Sequence, residues 1–191
     1  MRLGRLLEIG AHGILYPRCD DAAEAKEVVR WSKFAPLGER GFDGTSPDNP
    51  YFLSDPTEYV KKANEETFIA VQIESPKALT NARAIAEVEG VDVLFFGPGD
   101  FALLSGQFGK TMSPEVRKAR ETVATEALAA GKRFGTIFTN LDQAKELVDL
   151  GATLLVHCSD ICVLGQTYRQ LRSDLTGLGF AFDSDIPDDS H

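Results

Sequence analysis

One pattern recurs along this chain and constrains its fold more than any other feature. A helical segment ends at a glycine, and a short apolar run then leads to a polar element or one that contains Pro or Gly. Its three copies are LLEIGAHGILYPR, IAEVEGVDVLFFGPGD and LVDLGATLLVHCSD. Glycine after the last helical residue suits a left-handed position, and apolar runs without alternation are typical of parallel strands buried on both faces. The pattern therefore predicts an α/β protein.

The strands and helix starts follow from the same pattern. We expect five strands, at about residues 13–18, 68–74, 92–97, 134–138 and 153–158, with helices between them. The predicted N-caps are Asp20 or Asp21 for a helix that runs to about Phe34, Ser75 and Ser113 before prolines, and Asn140 with Gln143 as a capping box. Residues 35–59, rich in Pro and Gly, are expected to form a long loop at the C-terminal side of a strand.

The length of the chain limits the number of its domains, and its net charge limits the kinds of partner that it can bind. At about 150 residues per domain, 191 residues predict one domain, which we place at 1–172, followed by an acidic tail at 173–191. The formal net charge of −9 argues against a broad nucleic-acid surface. No apolar run approaches the roughly 20 residues of a membrane span, and the N-terminus does not resemble a signal peptide. Three cysteines without a CxxC pair fit reduced thiols, so we expect a cytoplasmic protein.

Two carboxylates are the strongest candidates for chemistry. Glu74 ends the apolar run FIAVQIE, and Asp100 lies just beyond VLFFGPGD, 26 residues later. We expect both at the C-terminal ends of neighbouring parallel strands, where α/β folds place their sites. Two hard oxygen ligands suit a Mg²⁺-type ion. The alternative is that Glu74 caps or pairs with the following helix and that Asp100 caps a turn.

Other polar residues are weaker candidates. Gln72 points to the same face as Glu74 by strand alternation, so it either lines the pocket or packs within the sheet. Arg40, in the long loop, either binds an anionic substrate or is a solvated loop arginine. The turn before Asp100 contains Gly97 and Gly99, whose amides could hold a carboxylate or phosphate. No histidine stands out as a general base.

From about Leu6 to Leu171, the chain resembles the HpcH/HpaI aldolase family of class II, metal-dependent pyruvate aldolases. That family includes 4-hydroxy-2-oxoheptanedioate and 2-keto-3-deoxy-sugar-acid aldolases. The segments that carry the resemblance are LLEIGAHGILYPR, FAPLGERGF, AVQIES, EGVDVLFFGPGD and AAGKRFGTIF. The resemblance implies a (β/α)₈ TIM barrel. Because only five strands are predicted, we expect an N-terminally truncated barrel that lacks about its first three β/α units.

The resemblance also implies roles for individual residues. Glu74 and Asp100 match the metal ligands, and Gln72 lies beside them. The residues implied in substrate binding are Gln72, which lies beside the metal ligands, Gly99 and Asp100 through their backbone amides, Arg40 at the pocket rim, and Ile137. The family's catalytic histidine and its pyruvate-binding arginine come from strands that would precede Met1, and Arg18 does not match that arginine by position. The resemblance further implies a homo-oligomer, a hexamer.

These expectations favour one function and leave two alternatives. The favoured function is an aldolase that cleaves 4-hydroxy-2-oxo acids to pyruvate and an aldehyde through a metal-stabilised enolate, with Mg²⁺, Mn²⁺ or Co²⁺ as cofactor. One alternative is an enzyme of the citrate-lyase-β or malyl-CoA-lyase type that acts on acyl-CoA esters, although no basic cluster for CoA lies near the predicted strand ends. The other is a non-catalytic truncated fragment.

Overall fold

The computed structural model describes residues 3–49, 51 and 53–183. Five strands form one sheet in the order β1-β2-β3-β4-β5. They are β1 (Gly13–Tyr16), β2 (Phe68–Ile73), β3 (Val93–Phe96), β4 (Arg133–Phe138) and β5 (Ala152–His157). The pairings from β1 to β4 are parallel, and each strand lies beside the next one in sequence. The α/β prediction is confirmed, and every strand boundary agrees within two residues. The arrangement is consistent with part of a TIM-like barrel.

Helices connect the strands. They are α1 (Leu3–Glu8), α2 (Ala22–Ser32), α3 (Pro56–Glu66), α4 (Pro76–Thr80), α5 (Ala82–Ala86), α6 (Pro98–Leu104), α7 (Pro114–Ala129), α8 (Leu141–Asp149) and α9 (Asp160–Gly177). Side chains cap several of them as predicted. Asp21, Ser75 and Ser113 each accept a backbone N–H from three residues further on. Asn140 accepts from the N–H of Gln143, but the Gln143 side chain accepts from the residue before Asn140, so the capping box is only half formed.

The core surrounds the three central strands. All four residues of β3 are buried, and so are the middle residues of β2 and β4. The helix α7 packs against β3 and β4, and α5 packs against α7. Strands covered on both faces explain the apolar runs without alternation. At the edge, β1 is less covered, since Leu15 is 44% exposed.

The long loop lies at the opposite end of the strands from the end we predicted. It follows α2 rather than a strand, and it leads through α3 to the beginning of β2. The Lys33 ammonium donates to the carbonyl oxygens of Asn64, at 2.8 Å, and of Thr67, which immediately precedes β2. The prediction was wrong because α2 returns the chain to the N-terminal end of the sheet before the loop begins. The helix α3 was not predicted, although its start carries the same signal as α4, with Asp55 capping before a proline.

The chain divides into two compact units, Met1–Val156 and His157–His191. The second contains α9, which continues to Gly177, so residues 173–177 are helical rather than part of the predicted tail. Residues 184–191 of the predicted tail, with its acidic residues at 185, 188 and 189, lie outside the described residues. Within the described part of the chain, no helix combines the length and the apolar character that crossing a membrane requires.

Candidate active site

Glu74 is held from two sides at the C-terminal end of β2. The residue is 2% exposed. Its Oε1 accepts a hydrogen bond from the backbone N–H of Arg18 at 2.8 Å, and its Oε2 accepts from Nε2 of Gln72 at 2.9 Å. The structure thus brings Gln72 beside Glu74, as strand alternation predicted. Both carboxylate oxygens are oriented by donors from β2 and from the residues that follow β1.

Gly97 makes room for this carboxylate at the end of β3. A Cβ atom at position 97 would lie 2.3 Å from Oε2 of Glu74 and 2.9 Å from its Cβ. Any side chain there would therefore displace Glu74. The glycine is required by close packing against the carboxylate.

Asp100 supplies a second carboxylate beside the first. It lies in the first turn of α6, directly after β3, and it is exposed. Burial raises the pKa of the Glu74 carboxyl above its ordinary value; the hydrogen bond from the Arg18 N–H lowers it, and the negative charge of Asp100 raises it. The net pKa is raised. Asp100 therefore acts on Glu74 through its charge, and it follows the strand next to the one that Glu74 ends.

This donor set fits a divalent cation. A buried carboxylate near a second one is repelled by it, and a doubly charged ion between them would offset that repulsion. Carboxylate oxygens are the ligands that Mg²⁺ and Mn²⁺ prefer. In residues 3–49, 51 and 53–183, no group of three or more His, Cys, Asp or Glu side chains could hold a metal ion. Two protein ligands suit an ion that keeps positions for water and substrate oxygens.

Two other predicted substrate-binding residues lie at the same end of the sheet. Gly99 belongs to the first turn of α6. Ile137 is the penultimate residue of β4, and 38% of it is exposed. Their roles in binding stay predictions.

Arg40 does not join this group. Its side chain is 2% exposed and forms an ion pair with Asp48. The guanidinium lies 4.5 Å from the centre of the Phe34 ring, and the Tyr59 hydroxyl donates to the same Asp48 carboxylate at 2.6 Å. Arg40 is therefore a buried, paired residue. The alternative prediction, a solvated loop arginine, is wrong.

The position of Arg40 explains the error. It lines a cavity of about 690 Å³ together with His12 and Thr67, the residues that immediately precede β1 and β2. This cavity lies at the N-terminal end of the strands, whereas Glu74 follows the C-terminal end of β2. The prediction that Arg40 lies at the rim of the Glu74 site is wrong for this chain because the loop was assigned to the wrong end of the sheet.

Residues 2–164 match the family described as HpcH/HpaI aldolase/citrate lyase. The chain belongs to this family. A hydroxypyruvate/pyruvate aldolase of Cupriavidus necator is 34% identical over 87% of this chain and 62% of its own length. A 4-hydroxy-2-oxo-heptane-1,7-dioate aldolase of Shigella sonnei is 33% identical over 90% of this chain and 65% of its own length. The chain thus spans less than two thirds of either relative.

A solved structure of an HpcH/HpaI aldolase from Desulfitobacterium hafniense has the same fold. Its TM-score is 0.84 at 32% sequence identity, and the match covers 96% of this chain and 70% of the other. The agreement between sequence and fold supports the family assignment over nearly the whole chain.

One contributor to this site is not predicted from the sequence. Arg18 does not match the arginine of the HpcH/HpaI family, yet its backbone N–H is a partner of Glu74. Its φ of 56° is in the left-handed region. Few non-glycine residues adopt that conformation, and the residue types around Arg18 do not predict it. The contact could be found only in three dimensions.

Replacing Gly97 by alanine is expected to damage the HpcH/HpaI carboxylate site. The added methyl group must push Glu74 away, so we expect a loss of about 1–3 kcal/mol in unfolding free energy and a loss of roughly 10-fold or more in Mn²⁺ affinity. Urea unfolding and Mn²⁺ titration followed by water-proton relaxation measure both. Gly41→Ala is the control, because a Cβ there meets no atom within 4 Å. Equal behaviour of the two variants would contradict the assigned role of Gly97.

Proposed function

We propose that this chain carries the metal-binding part of an aldolase that cleaves a 4-hydroxy-2-oxo acid into pyruvate and an aldehyde. The observation that carries the proposal is the oriented, buried Glu74 carboxylate beside Asp100, at the C-terminal ends of adjacent parallel strands. Membership of the HpcH/HpaI family and the aldolase names of the two relatives support it.

Each residue of the site has a part in this proposal. Glu74 and Asp100 would hold Mg²⁺, Mn²⁺ or Co²⁺, which supplies a Lewis acid for the carboxylate and carbonyl oxygens of the 2-oxo acid. Gln72 and the Arg18 N–H fix the Glu74 oxygens. The first N–H groups of a helix have no intrahelical acceptor, so the amides of Gly99 and Asp100 would bind the substrate carboxylate.

The remaining catalytic groups would come from outside the residues present. We propose that three further β/α units complete the barrel and supply the histidine base and the arginine that the family resemblance implies. A missing general base costs roughly 10²- to 10⁴-fold in rate. The 191-residue chain is therefore expected to bind the metal and enolise pyruvate slowly, whereas cleavage needs the completed barrel, assembled as a homo-oligomer, a hexamer by resemblance.

Exchange of the pyruvate methyl protons tests this proposal without requiring full cleavage. In D₂O with Mn²⁺, the chain is expected to exchange these protons faster than buffer with Mn²⁺ alone, as measured by mass spectrometry of the recovered pyruvate. A chelator, Glu74→Gln and Asp100→Asn should each remove the acceleration. Glu89→Gln, which alters an exposed carboxylate before β3, is the matched control. Exchange that survives in both site variants would contradict the proposed function.

The acyl-CoA alternative has less support. Both relatives described above carry aldolase names. Assays of the completed barrel on 4-hydroxy-2-oxoheptanedioate and on malyl-CoA separate the two activities, and we expect pyruvate release from the first substrate only.

A further inference from the structure

Arg18 occupies a strained position at the edge of the carboxylate site. It follows β1 by two residues, and its φ of 56° is in the left-handed region. Residues in this region persist where the surroundings hold them, often at functional sites. Here the conformation directs the backbone N–H to Oε1 of Glu74 at 2.8 Å. The backbone of Arg18 is therefore fixed next to Glu74, and its side chain extends from this point.

The guanidinium of Arg18 is exposed and has no hydrogen bond or ion pair with the described residues. Several other arginines are paired, since Arg40 pairs with Asp48 and Arg83 with Glu87. What distinguishes Arg18 is its place, because its backbone N–H binds the Glu74 carboxylate.

Three acidic residues around Arg18 are engaged by other donors, and the exposed Asp100 would be engaged by the metal ion. Glu74 accepts from Gln72 and from the Arg18 backbone. Asp20 accepts from the Ser75 hydroxyl at 2.6 Å, and Glu24 accepts from the Tyr16 hydroxyl at 2.9 Å. The guanidinium nevertheless lies close enough to lower the pKa of Glu74 by its charge. Its five N–H donors are left for an anion from solution.

We propose that the Arg18 guanidinium binds a carboxylate of the 2-oxo acid substrate, an inference that rests on the proposed function. A divalent ion held by Glu74 and Asp100 would cancel their two negative charges. The Arg18 guanidinium, the cation whose charge acts on Glu74, would then face the approaching substrate with only Asp20 as a remaining negative neighbour of Glu74. The planar fork of a guanidinium binds a carboxylate in two-pronged fashion, with a geometry that an ammonium lacks.

Two 2-oxo acids of equal chain length test this assignment and locate the carboxylate. 2-Oxoglutarate has a carboxylate at both ends, and 2-oxopentanoate has only the one next to the carbonyl. Each is titrated calorimetrically into the Mn²⁺-loaded 191-residue chain. Arg18→Gln is expected to weaken the binding of 2-oxoglutarate by about 10- to 100-fold, the effect of losing a hydrogen bond between charged groups. If Arg18→Gln weakens the binding of 2-oxopentanoate equally, Arg18 binds the carboxylate next to the carbonyl. If the binding of 2-oxopentanoate is unchanged, Arg18 binds the distal carboxylate.

Two further variants separate the guanidinium from the fold. Arg18→Gly removes the side chain and suits the left-handed backbone, so it should be at least as stable as the wild type and lose the same affinity. Arg18→Lys keeps the charge and should recover only part of the affinity. Arg133→Gln is the matched control, since Arg133 is an exposed strand-terminal arginine at the other end of the sheet.

Mn²⁺ titration without an oxo acid separates failure of this inference from failure of the proposed function. A wild-type chain that does not bind Mn²⁺ contradicts the proposed function and removes the basis of this inference. A wild-type chain that binds Mn²⁺ but neither oxo acid contradicts both, because the proposed function requires a 2-oxo acid to bind at the ion. Affinities of Arg18→Gln and Arg18→Gly within twofold of the wild type for both oxo acids overturn the role of Arg18 alone.

Discussion

Saturating Mn²⁺ or Mg²⁺ is expected to raise the melting temperature of this chain by about 5–10 °C. A ligand that binds only the folded state stabilises it by about 2.7 kcal/mol at 100 times its dissociation constant. In proteins of this size, each 1 kcal/mol shifts the melting temperature by about 2–4 °C. Differential scanning calorimetry at increasing metal concentration measures the shift. The carboxylates that would bind the ion are Glu74 and Asp100.

Glu74→Gln is expected to abolish this shift and to stabilise the metal-free protein. Burial raises the pKa of Glu74, which means that folding disfavours its charged form. Glutamine keeps the shape and removes the charge; its oxygen would accept from the Arg18 N–H, and its NH₂ would donate to the Gln72 oxygen once that amide turns over. Asp100→Asn should also abolish the metal shift, whereas Glu89→Gln should leave the shift and the metal-free stability unchanged. A full shift in both site variants would overturn the metal assignment.

The contribution of Glu74 to metal-free stability should decrease as the pH rises. Between the ordinary pKa of a glutamate and the raised pKa of Glu74, the folded protein binds more protons than the unfolded chain. The contribution of Glu74 to the free energy of unfolding therefore falls as the pH rises through that interval. The advantage of Glu74→Gln over the wild type in metal-free stability should grow over the same interval. Metal affinity of the wild type should rise there as the competing proton leaves.

The second large effect that we expect is self-association of the isolated chain. In the described residues, β1 lies at one end of the sheet order and pairs only with β2. Beside its free edge lies an apolar groove that includes Leu6, Ile9 and Leu15, which are 47%, 73% and 44% exposed. An open apolar edge is a template for another chain. Size-exclusion chromatography with light scattering should give a mass well above the 20.8 kDa of one chain.

A charge on this edge should reduce the association. Leu15→Lys places a lysine on β1, a residue that natural edge strands use against pairing. Leu141→Lys is the control, because Leu141 is also exposed, at 75%, but lies at the start of α8. Fusion of three N-terminal β/α units from a relative should restore a soluble assembly with less binding of a hydrophobic dye. A compact, cooperatively unfolding monomer of the unaltered chain would contradict the incomplete barrel.

Local signals allowed much of the fold to be predicted. Glycines after helices and apolar runs located all five strands, because a short apolar run that follows a helix stop is a local signal. The proximity of Gln72 and Glu74 followed from strand alternation. The helix α3 was missed within a segment rich in Pro and Gly. Arg40 was expected at the wrong end because α2 returns the chain to the N-terminal end of the sheet before the loop begins. The contact between the Arg18 N–H and Glu74 depends on one backbone angle, which the sequence does not reveal.

The order of the strands also bears on how the sheet can form during synthesis. Every strand lies beside the one that precedes it in the chain. As translation proceeds from the N-terminus, each new strand therefore finds its partner already outside the ribosome. Loop closure between successive strands spans one β/α unit, which keeps its entropic cost small. Interrupted synthesis would remove strands from one end of the sheet and leave no gap within it.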